Sequence, residues 1–258
     1  MTNRPLVIGN WKMNLDYVEA VHLAQQIGVL LRAKPSEYTD VVVAPPFVDL
    51  RSVRSVVDSE RIPVAVGAQH VNPNDNGAHS GEVSTMMLKR LGVEWVLVGH
   101  SERRTKYAMS DAVVAATLRT VCANGLHAVL CVGEDESVRE SGDHERFVTQ
   151  QLESALAGFD LRQGQLVSVA YEPMWAIGTG LTATSAQVSS MTEHLRADLR
   201  RLGLTESRVL YGGSVSDNAT ALLVESGVNG FLVGGASLKA ESFLAIVRAS
   251  DDCYNGVR

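Results

Sequence analysis

Short apolar runs, rich in β-branched residues, recur along the chain and are separated by longer segments in which apolar positions have helical spacing. Eight such runs occupy residues 6–9, 41–44, 64–67, 95–98, 128–132, 166–171, 208–211 and 230–233. Apolar residues at i, i+3 and i+4 predict helices within residues 18–31, 111–124, 144–156, 186–202 and 217–226. Strands that alternate with helices are typical of a parallel sheet built from βαβ units. The pattern therefore predicts an α/β protein, a (β/α)8 barrel with eight parallel strands.

The barrel is expected to occupy residues 1–258 as a single domain. The length of 258 residues is compatible with one domain or two. However, the sequence contains no Pro-, Ser- or Gly-rich linker and no block of like charge, which are usual between independent domains. Residues 69–84 form one long polar interruption, and a loop of this length is typical of a functional or interface element.

Composition narrows the possible functions. Hydrophobic residues make up 45% of the chain and charged residues 20%, which is typical of a globular protein. The net charge of -6 argues against a nucleic-acid or membrane-surface partner, which a basic surface would attract. The chain has no apolar run of 18 residues and no leader-like start, so a cytoplasmic protein is expected. The three cysteines form no C-x-x-C pair, and we expect no disulfide framework and no structural metal site.

Chemically active side chains follow several of the predicted strands. The carboxyl ends of the strands form the active site in a barrel of this kind. Asn10 and Lys12 follow the first strand, His100 and Glu102 the fourth, and Glu172 the sixth. Turns containing glycine, which allow a backbone to approach an anion closely, follow the sixth, seventh and eighth strands. We therefore expect an amine, an imidazole, a carboxylate and three glycine-bearing turns to converge on one face of the barrel.

Five segments resemble the signatures of the triosephosphate isomerase family, in order and spacing over the whole chain. They are GNWKMN from Gly9, VGHSERR from Val98, AYEPMWAIGTG from Ala170, YGGSV from Tyr211 and VGGASL from Val233. The resemblance implies an isomerase without a cofactor. Such an enzyme interconverts D-glyceraldehyde 3-phosphate and dihydroxyacetone phosphate through an enediolate intermediate, in glycolysis and gluconeogenesis.

The resemblance also implies roles for individual residues. Glu172 would be the base that moves a proton between adjacent carbons. His100 would act as a neutral imidazole beside a helix start; this family is itself the standard example of that pairing with a glutamate base. Lys12 would supply a positive charge, and Asn10 an uncharged donor. Glu102 resembles the supporting carboxylate of the family, although the helix dipole equally explains an acid in a first turn.

Further positions match the family's substrate, lid and dimer elements. Asn10 and Lys12 would contact the substrate, and its phosphate would be held by backbone N–H groups of Gly178, Ser214, Gly234 and Gly235. Residues 173–180 resemble the mobile lid, and Tyr211 and Ser214 resemble the residues that latch it. The loop that contains Ser80 resembles an interlocking dimer element, so a homodimer is expected.

Three other interpretations can be weighed against these motifs. Residues 178–183 satisfy the dinucleotide pattern G-x-G-x-x-A, but they do not directly follow a strand, and Asp198 lies in a predicted helix rather than at a strand end. A phosphate-binding loop would need a lysine where Leu181 stands. A barrel that binds a phosphosugar without catalysis, or serves a structural role, would be expected to lack Lys12, His100 or Glu172, and all three are present.

Some positions depart from the family pattern. Leu181 replaces the usual lysine at the end of the lid, and Tyr107, Ala108 and Met109 stand where the family usually has Phe-Gly-Glu. His79 and Ser80 replace the common aromatic residue and threonine of the dimer loop. These departures bear on lid motion, stability and the strength of the dimer rather than on the reaction.

Overall fold

The computed structural model describes residues 4–177, 182–215 and 219–256, and at residues 220 and 221 the backbone alone. Within these ranges eight parallel strands form a closed barrel in sequence order. The strands are β1 (Leu6–Asn10), β2 (Asp40–Ala44), β3 (Ala65–Ala68), β4 (Trp95–Val98), β5 (His127–Val132), β6 (Val167–Tyr171), β7 (Val209–Tyr211) and β8 (Gly230–Val233). The first strand pairs with both the second and the eighth, which closes the sheet. The predicted barrel is confirmed, and each strand boundary lies within one residue of its predicted position.

Helices surround the barrel. They are α1 (Tyr17–Ala33), α2 (Leu50–Ser59), α3 (Thr85–Arg90), α4 (Ser101–Lys106), α5 (Asp111–Ala123), α6 (Glu136–Ser141), α7 (His144–Ala155), α8 (Ser185–Arg201), α9 (Ala219–Ser226) and α10 (Ala240–Gly256). Short 3-10 helices span Leu161–Leu166, Met174–Ala176 and Gly235–Leu238. The helical pattern found α1, α5, α7, α8 and α9, and the helix start expected beside His100 is confirmed as α4. The sequence analysis missed α2, α3, α6 and α10. None of the helices in the described ranges is both long and apolar enough to cross a bilayer.

The core has two layers because successive residues of a strand point to opposite faces of the sheet. Leu6 and Ile8 of β1 lie inside the barrel, in a cluster with residues such as Leu97 and Leu210 from other strands. Val7, between them in sequence, packs instead in the layer that joins the sheet to the helices. Closure of the parallel sheet places the carboxyl ends of the strands around a single opening.

The last helix packs against the first part of the chain. Helix α10 packs against α1 and α9. Near its end, the carboxylate of Asp251 accepts hydrogen bonds from the hydroxyl of Ser36 and the backbone N–H groups of Glu37 and Tyr38, at 3.1–3.2 Å. The C-terminal segment therefore secures the turn between α1 and β2.

Candidate active site

A cavity of about 680 Å³ opens at the carboxyl ends of the strands. Its size lies within the range of small-molecule sites, roughly 300–1,000 Å³. The predicted site residues that line it are Asn10, Lys12, His100, Glu102, Glu172, Ser214, Gly234 and Gly235. Gly178, a predicted phosphate-binding residue, lies outside the described residues, as does the rest of the predicted lid from residue 179 to residue 180.

The carboxylate of Glu172 is buried at the end of β6, with 2% of the residue exposed. One oxygen, Oε2, accepts a hydrogen bond of 2.8 Å from the backbone N–H of Ser101. The other, Oε1, lies 3.1 Å from Nε2 of His100. A Cβ on Gly212, directly after β7, would stand 2.8 Å from Cγ of Glu172, so the absence of a side chain there leaves room for the glutamate. The predicted base is thus shielded from water and held by two donors.

His100 caps the N-terminus of α4 with its side chain. Its Nδ1 accepts a hydrogen bond of 3.2 Å from the backbone N–H of Glu102. An imidazole nitrogen that accepts from a backbone N–H carries no proton, so the proton of the neutral ring lies on Nε2. Nε2 faces Glu172 and the cavity. The start of α4 therefore selects the tautomer that presents an N–H donor to the site.

Lys12 adopts a backbone conformation that is unusual for a side chain larger than glycine. Its φ is 54°, and such a conformation costs about 1–3 kcal/mol unless neighbouring groups enforce it. Its N–H donates to Oδ1 of Asn10 at 3.0 Å. Its carbonyl accepts from Nε2 of Gln69 at 2.8 Å, and the same nitrogen donates to the carbonyl of Ala44 at 2.9 Å. Asn10 and Gln69 thus hold the turn that carries the lysine into the cavity.

The ammonium group of Lys12 forms an ion pair with Glu102. Nζ lies 3.1 Å from Oε1. Burial opposes ionisation of Glu102, but the charge and hydrogen bond of Lys12 outweigh it, and the pKa of the carboxyl is lowered from its ordinary value of 4.5. Glu102 is therefore an anion that holds the lysine in place, which supports its predicted role beside the site.

The first turn of the predicted lid is anchored by Glu134, a fully buried residue that follows β5. Its Oε1 accepts from the hydroxyl of Tyr171 and from Nε1 of Trp175, both at 2.9 Å. Its backbone carbonyl accepts from the N–H of Met174 at 2.9 Å. From the opposite side, the hydroxyl of Ser214 donates to the carbonyl of Ala176 at 3.3 Å. The segment before residue 178 is thus attached to two neighbouring strand ends.

Sequence reasoning missed Glu134 and Gln69, although a usable signal was present. Each lies one or two residues after a buried strand, β5 or β3, at the carboxyl face. The rule that selected Asn10, His100 and Glu172 would have selected both if it had been applied to every strand.

Tyr211 ends β7 and is buried, with its hydroxyl close to the chain of the next turn. A Cβ on Gly213 would lie 2.1 Å from that hydroxyl. Burial raises the pKa of Tyr211 to about 12, against the smaller opposing effect of the backbone N–H of Ala183. The hydroxyl is therefore protonated at neutral pH and placed next to the segment that follows the lid, and its role as a latch stays a prediction.

The loop from residue 69 to residue 84 leaves the barrel after β3, and residues 74–82 are exposed. Its base is closed by a bridge between Asn72 and Ser84. Ser80 lies at the exposed part of this loop.

Two large apolar side chains elsewhere on the surface are strongly exposed. Met13 is 94% exposed and Val48 is 82% exposed.

Comparison with known proteins decides the family. A sequence model of triosephosphate isomerase matches residues 5–250. The chain belongs to the triosephosphate isomerase family. It is 45% identical to the triosephosphate isomerase of Mycolicibacterium vanbaalenii over 249 residues, which cover 94% of this chain and 95% of the relative. It is 44% and 43% identical to those of Mycobacterium tuberculosis and Rhodococcus jostii over 251 residues, 95% of this chain and 96% of each relative.

Membership confirms the resemblance drawn from the sequence, and with it the expectation of an isomerase. The structure shows the surroundings of several residues that depart from the family pattern. Met109 stands at the usual position of a glutamate and is buried, and Nε of Arg103 is buried without an acceptor in the described part of the chain. The guanidinium of Arg103 instead lies 4.7 Å from the ring centre of Tyr107. Ala108, at the usual position of a glycine, has a φ of 50°. Leu181 lies outside the described residues.

Proposed function

We propose that the cavity at the carboxyl face is the active site at which this isomerase interconverts D-glyceraldehyde 3-phosphate and dihydroxyacetone phosphate. The observation that carries the proposal is the meeting of a buried carboxylate, Glu172, with an N–H donor, Nε2 of His100, at 3.1 Å. This pair supplies the two groups that an aldose–ketose isomerisation through an enediolate requires. A base must take a proton from one carbon and return it to the next, and a donor must stabilise the oxyanion formed in between.

Glu172 removes the proton from the carbon beside the carbonyl. The electron pair of that C–H bond forms the C=C bond of the enediolate, and the carbonyl oxygen becomes an oxyanion. Nε2 of His100 gives its proton to this oxygen and takes the proton of the hydroxyl on the neighbouring carbon, whose oxygen becomes the new carbonyl. The protonated Glu172 returns its proton to the former carbonyl carbon, where the electron pair of the C=C bond forms the new C–H bond. To reach the substrate, Glu172 has to give up its bonds to Ser101 and His100, so that binding and base positioning are coupled.

Lys12 supplies a positive charge to the site, and Asn10 supplies an uncharged hydrogen-bond donor. The chain has a net charge of -6, so an anionic substrate gains nothing from the average surface and must be attracted locally. The ammonium of Lys12 provides that attraction and stabilises the enediolate, while its ion pair with Glu102 keeps it in position. Backbone N–H groups of Ser214, Gly234 and Gly235, with Gly178, hold the phosphate.

The test is a coupled assay of glyceraldehyde 3-phosphate isomerisation on the purified chain, run in H2O and in D2O. We expect turnover, with deuterium from the solvent at the carbon that receives the proton. Lys12→Met should lose about 10² to 10³ in kcat/KM, as for other single electrostatic donors. Lys106→Met is the matched control, because Lys106 also lines the cavity but is exposed at the end of α4. Binding of the substrate without turnover would favour the non-catalytic barrel instead.

We also propose that the protein is a cytoplasmic homodimer acting in glycolysis and gluconeogenesis. The exposed loop around Ser80 and the exposed apolar side chains of Met13 and Val48 support a self-association surface. Sedimentation velocity at working concentration should give twice the monomer mass, and replacing Met13 and Val48 by serine should weaken the dimer. A fully active monomer would contradict the dimer, and activity in a membrane fraction would contradict the location.

A further inference from the structure

A second cavity, of about 530 Å³, lies at the opposite end of the barrel from the active site. Its lining includes Pro5, Ser207 and Asn229, which precede β1, β7 and β8, so it lies at the amino ends of the strands. Helices α8 and α10 form part of its wall, through Arg196 and Cys253. Nothing in the proposed reaction uses this face.

Two arginines give the cavity an unbalanced positive charge. Arg196 and Arg200 lie one turn apart on α8, and both line the cavity. Nη2 of Arg196 donates to the carbonyl of Gly227 and, at 3.1 Å, to Oδ1 of Asn229, which are both neutral acceptors. Burial, and then the charge of Arg200, lower the pKa of Arg196. In the part of the chain that the structure describes, neither guanidinium forms an ion pair, so a bound anion would be stabilised by both.

The cavity also has an apolar wall, and its lining includes one polar atom without a partner in the described ranges. Leu199, Leu204 and Val228 are buried and line the cavity. Oγ of Ser207 is buried and has no hydrogen-bond partner within the described ranges. A buried hydroxyl without a partner is costly and is normally satisfied by a ligand or by water. Apolar walls with a few converging polar groups are the usual composition of a small-molecule site.

We propose that this cavity binds a small organic anion with an apolar body. A carboxylate or sulfonate head is held by Arg196 and Arg200, and the body packs on Leu204 and Val228. The site is separate from the isomerase site and does not depend on it. Glu206 also lines the cavity, and its carboxylate disfavours a ligand with more than one negative charge.

Cys253 provides a reporter for occupancy. It lines this cavity and is half-buried, whereas Cys122 and Cys131 are buried elsewhere in the core. The experiment measures the rate at which N-ethylmaleimide alkylates Cys253, by mass spectrometry of its peptide, with naphthalene-1-sulfonate as the probe. Dihydroxyacetone phosphate is present at saturation to occupy the active site. At a probe concentration ten times its Kd, the free fraction and the alkylation rate should fall about tenfold.

Two comparisons make the result specific. Inorganic sulfate has the charge without the apolar body, and naphthalene-1-methanol has the body without the charge, so neither should protect at the same concentration. Arg200→Gln should raise the Kd of the probe about tenfold or more, as expected for a lost charge-assisted bond. Arg201→Gln is the matched control, because Arg201 lies next in sequence but pairs with Asp198 and Glu153.

The proposal is overturned if naphthalene-1-sulfonate leaves the alkylation rate of Cys253 unchanged. It is also overturned if sulfate alone protects equally, or if Arg200→Gln binds the probe as well as Arg201→Gln. Competition between the probe and the triose phosphate in the isomerase assay would place the probe in the other cavity. Failure of the isomerase assay leaves this measurement unaffected, so the two proposals fail separately.

Discussion

Replacing Glu172 by glutamine tests the proposed base and the geometry that holds it. The two carboxylate oxygens face two donors, the N–H of Ser101 at 2.8 Å and Nε2 of His100 at 3.1 Å. A glutamine has one oxygen, so it satisfies one donor and turns its NH2 group towards the other. The histidine cannot adapt by moving its proton to Nδ1, because the N–H of Glu102 already donates to that atom.

The expected magnitudes follow from this geometry. One lost hydrogen bond to a charged acceptor costs about 1.5–3 kcal/mol, and each kcal/mol lowers Tm by about 2–4 °C for a protein of this size. Loss of the general base should lower kcat by about 10² to 10⁴. The measurements are the steady-state isomerase assay and thermal unfolding of the same preparation, with circular dichroism to show that the barrel is intact.

Glu172→Asp is the control, since it keeps the charge and the base but draws the carboxylate back by one methylene group. It should retain more activity than the glutamine variant. If Glu172→Gln turns over at the wild-type kcat, then Glu172 is not the base. If its Tm is unchanged, the two donors do not both depend on the carboxylate.

Three further perturbations follow from contacts in the structure. Lys12→Met should raise the pKa of Glu102, measured by carboxyl NMR. Because the folded pKa lies below the ordinary 4.5, the ion pair stabilises the protein above about that pH and is lost as the pH falls through the folded value; a Tm difference from wild type that persists below the folded pKa measured by NMR would contradict this. Glu134→Leu removes the oxygen that accepts from Tyr171 and Trp175 and should cost about 1–3 kcal/mol for each bond, whereas Glu134→Gln keeps the accepting oxygen and should cost less; equal unfolding free energies would refute the assignment. Asp251→Asn should lower Tm by about 2–4 °C for each kcal/mol of lost hydrogen bonding, while the exposed neighbour variant Asp252→Asn should not.

The barrel was predictable because its signal is local. Each strand is a buried run, and burial on both faces of a parallel sheet demands consecutive apolar residues, as in the segment from Val41 to Ala44. Short helices such as α3 and α6 were missed because six residues span less than two turns and cannot show a period. Glu134 and Gln69 were missed for a different reason, since their importance lies in what they contact and not in their type.

The composition and order of the strand ends were enough to name Asn10, Lys12, His100 and Glu172 as a group. The contacts among these side chains depend on closure of the barrel, because closure brings residues far apart in sequence within hydrogen-bond distance. The bond from Ser101 to Glu172 spans 71 positions, and the one from Lys12 to Glu102 spans 90.

Such bonds select one rotamer and one tautomer among several that the chain could adopt locally. Burial makes an unsatisfied donor costly, so the side chains at the barrel mouth must pair with one another. The sequence alone thus predicts which amino acids are present at the site. Their orientation, the proton on Nε2 of His100 and the cavity between Arg196 and Asn229 arise only when the strands and helices are packed together.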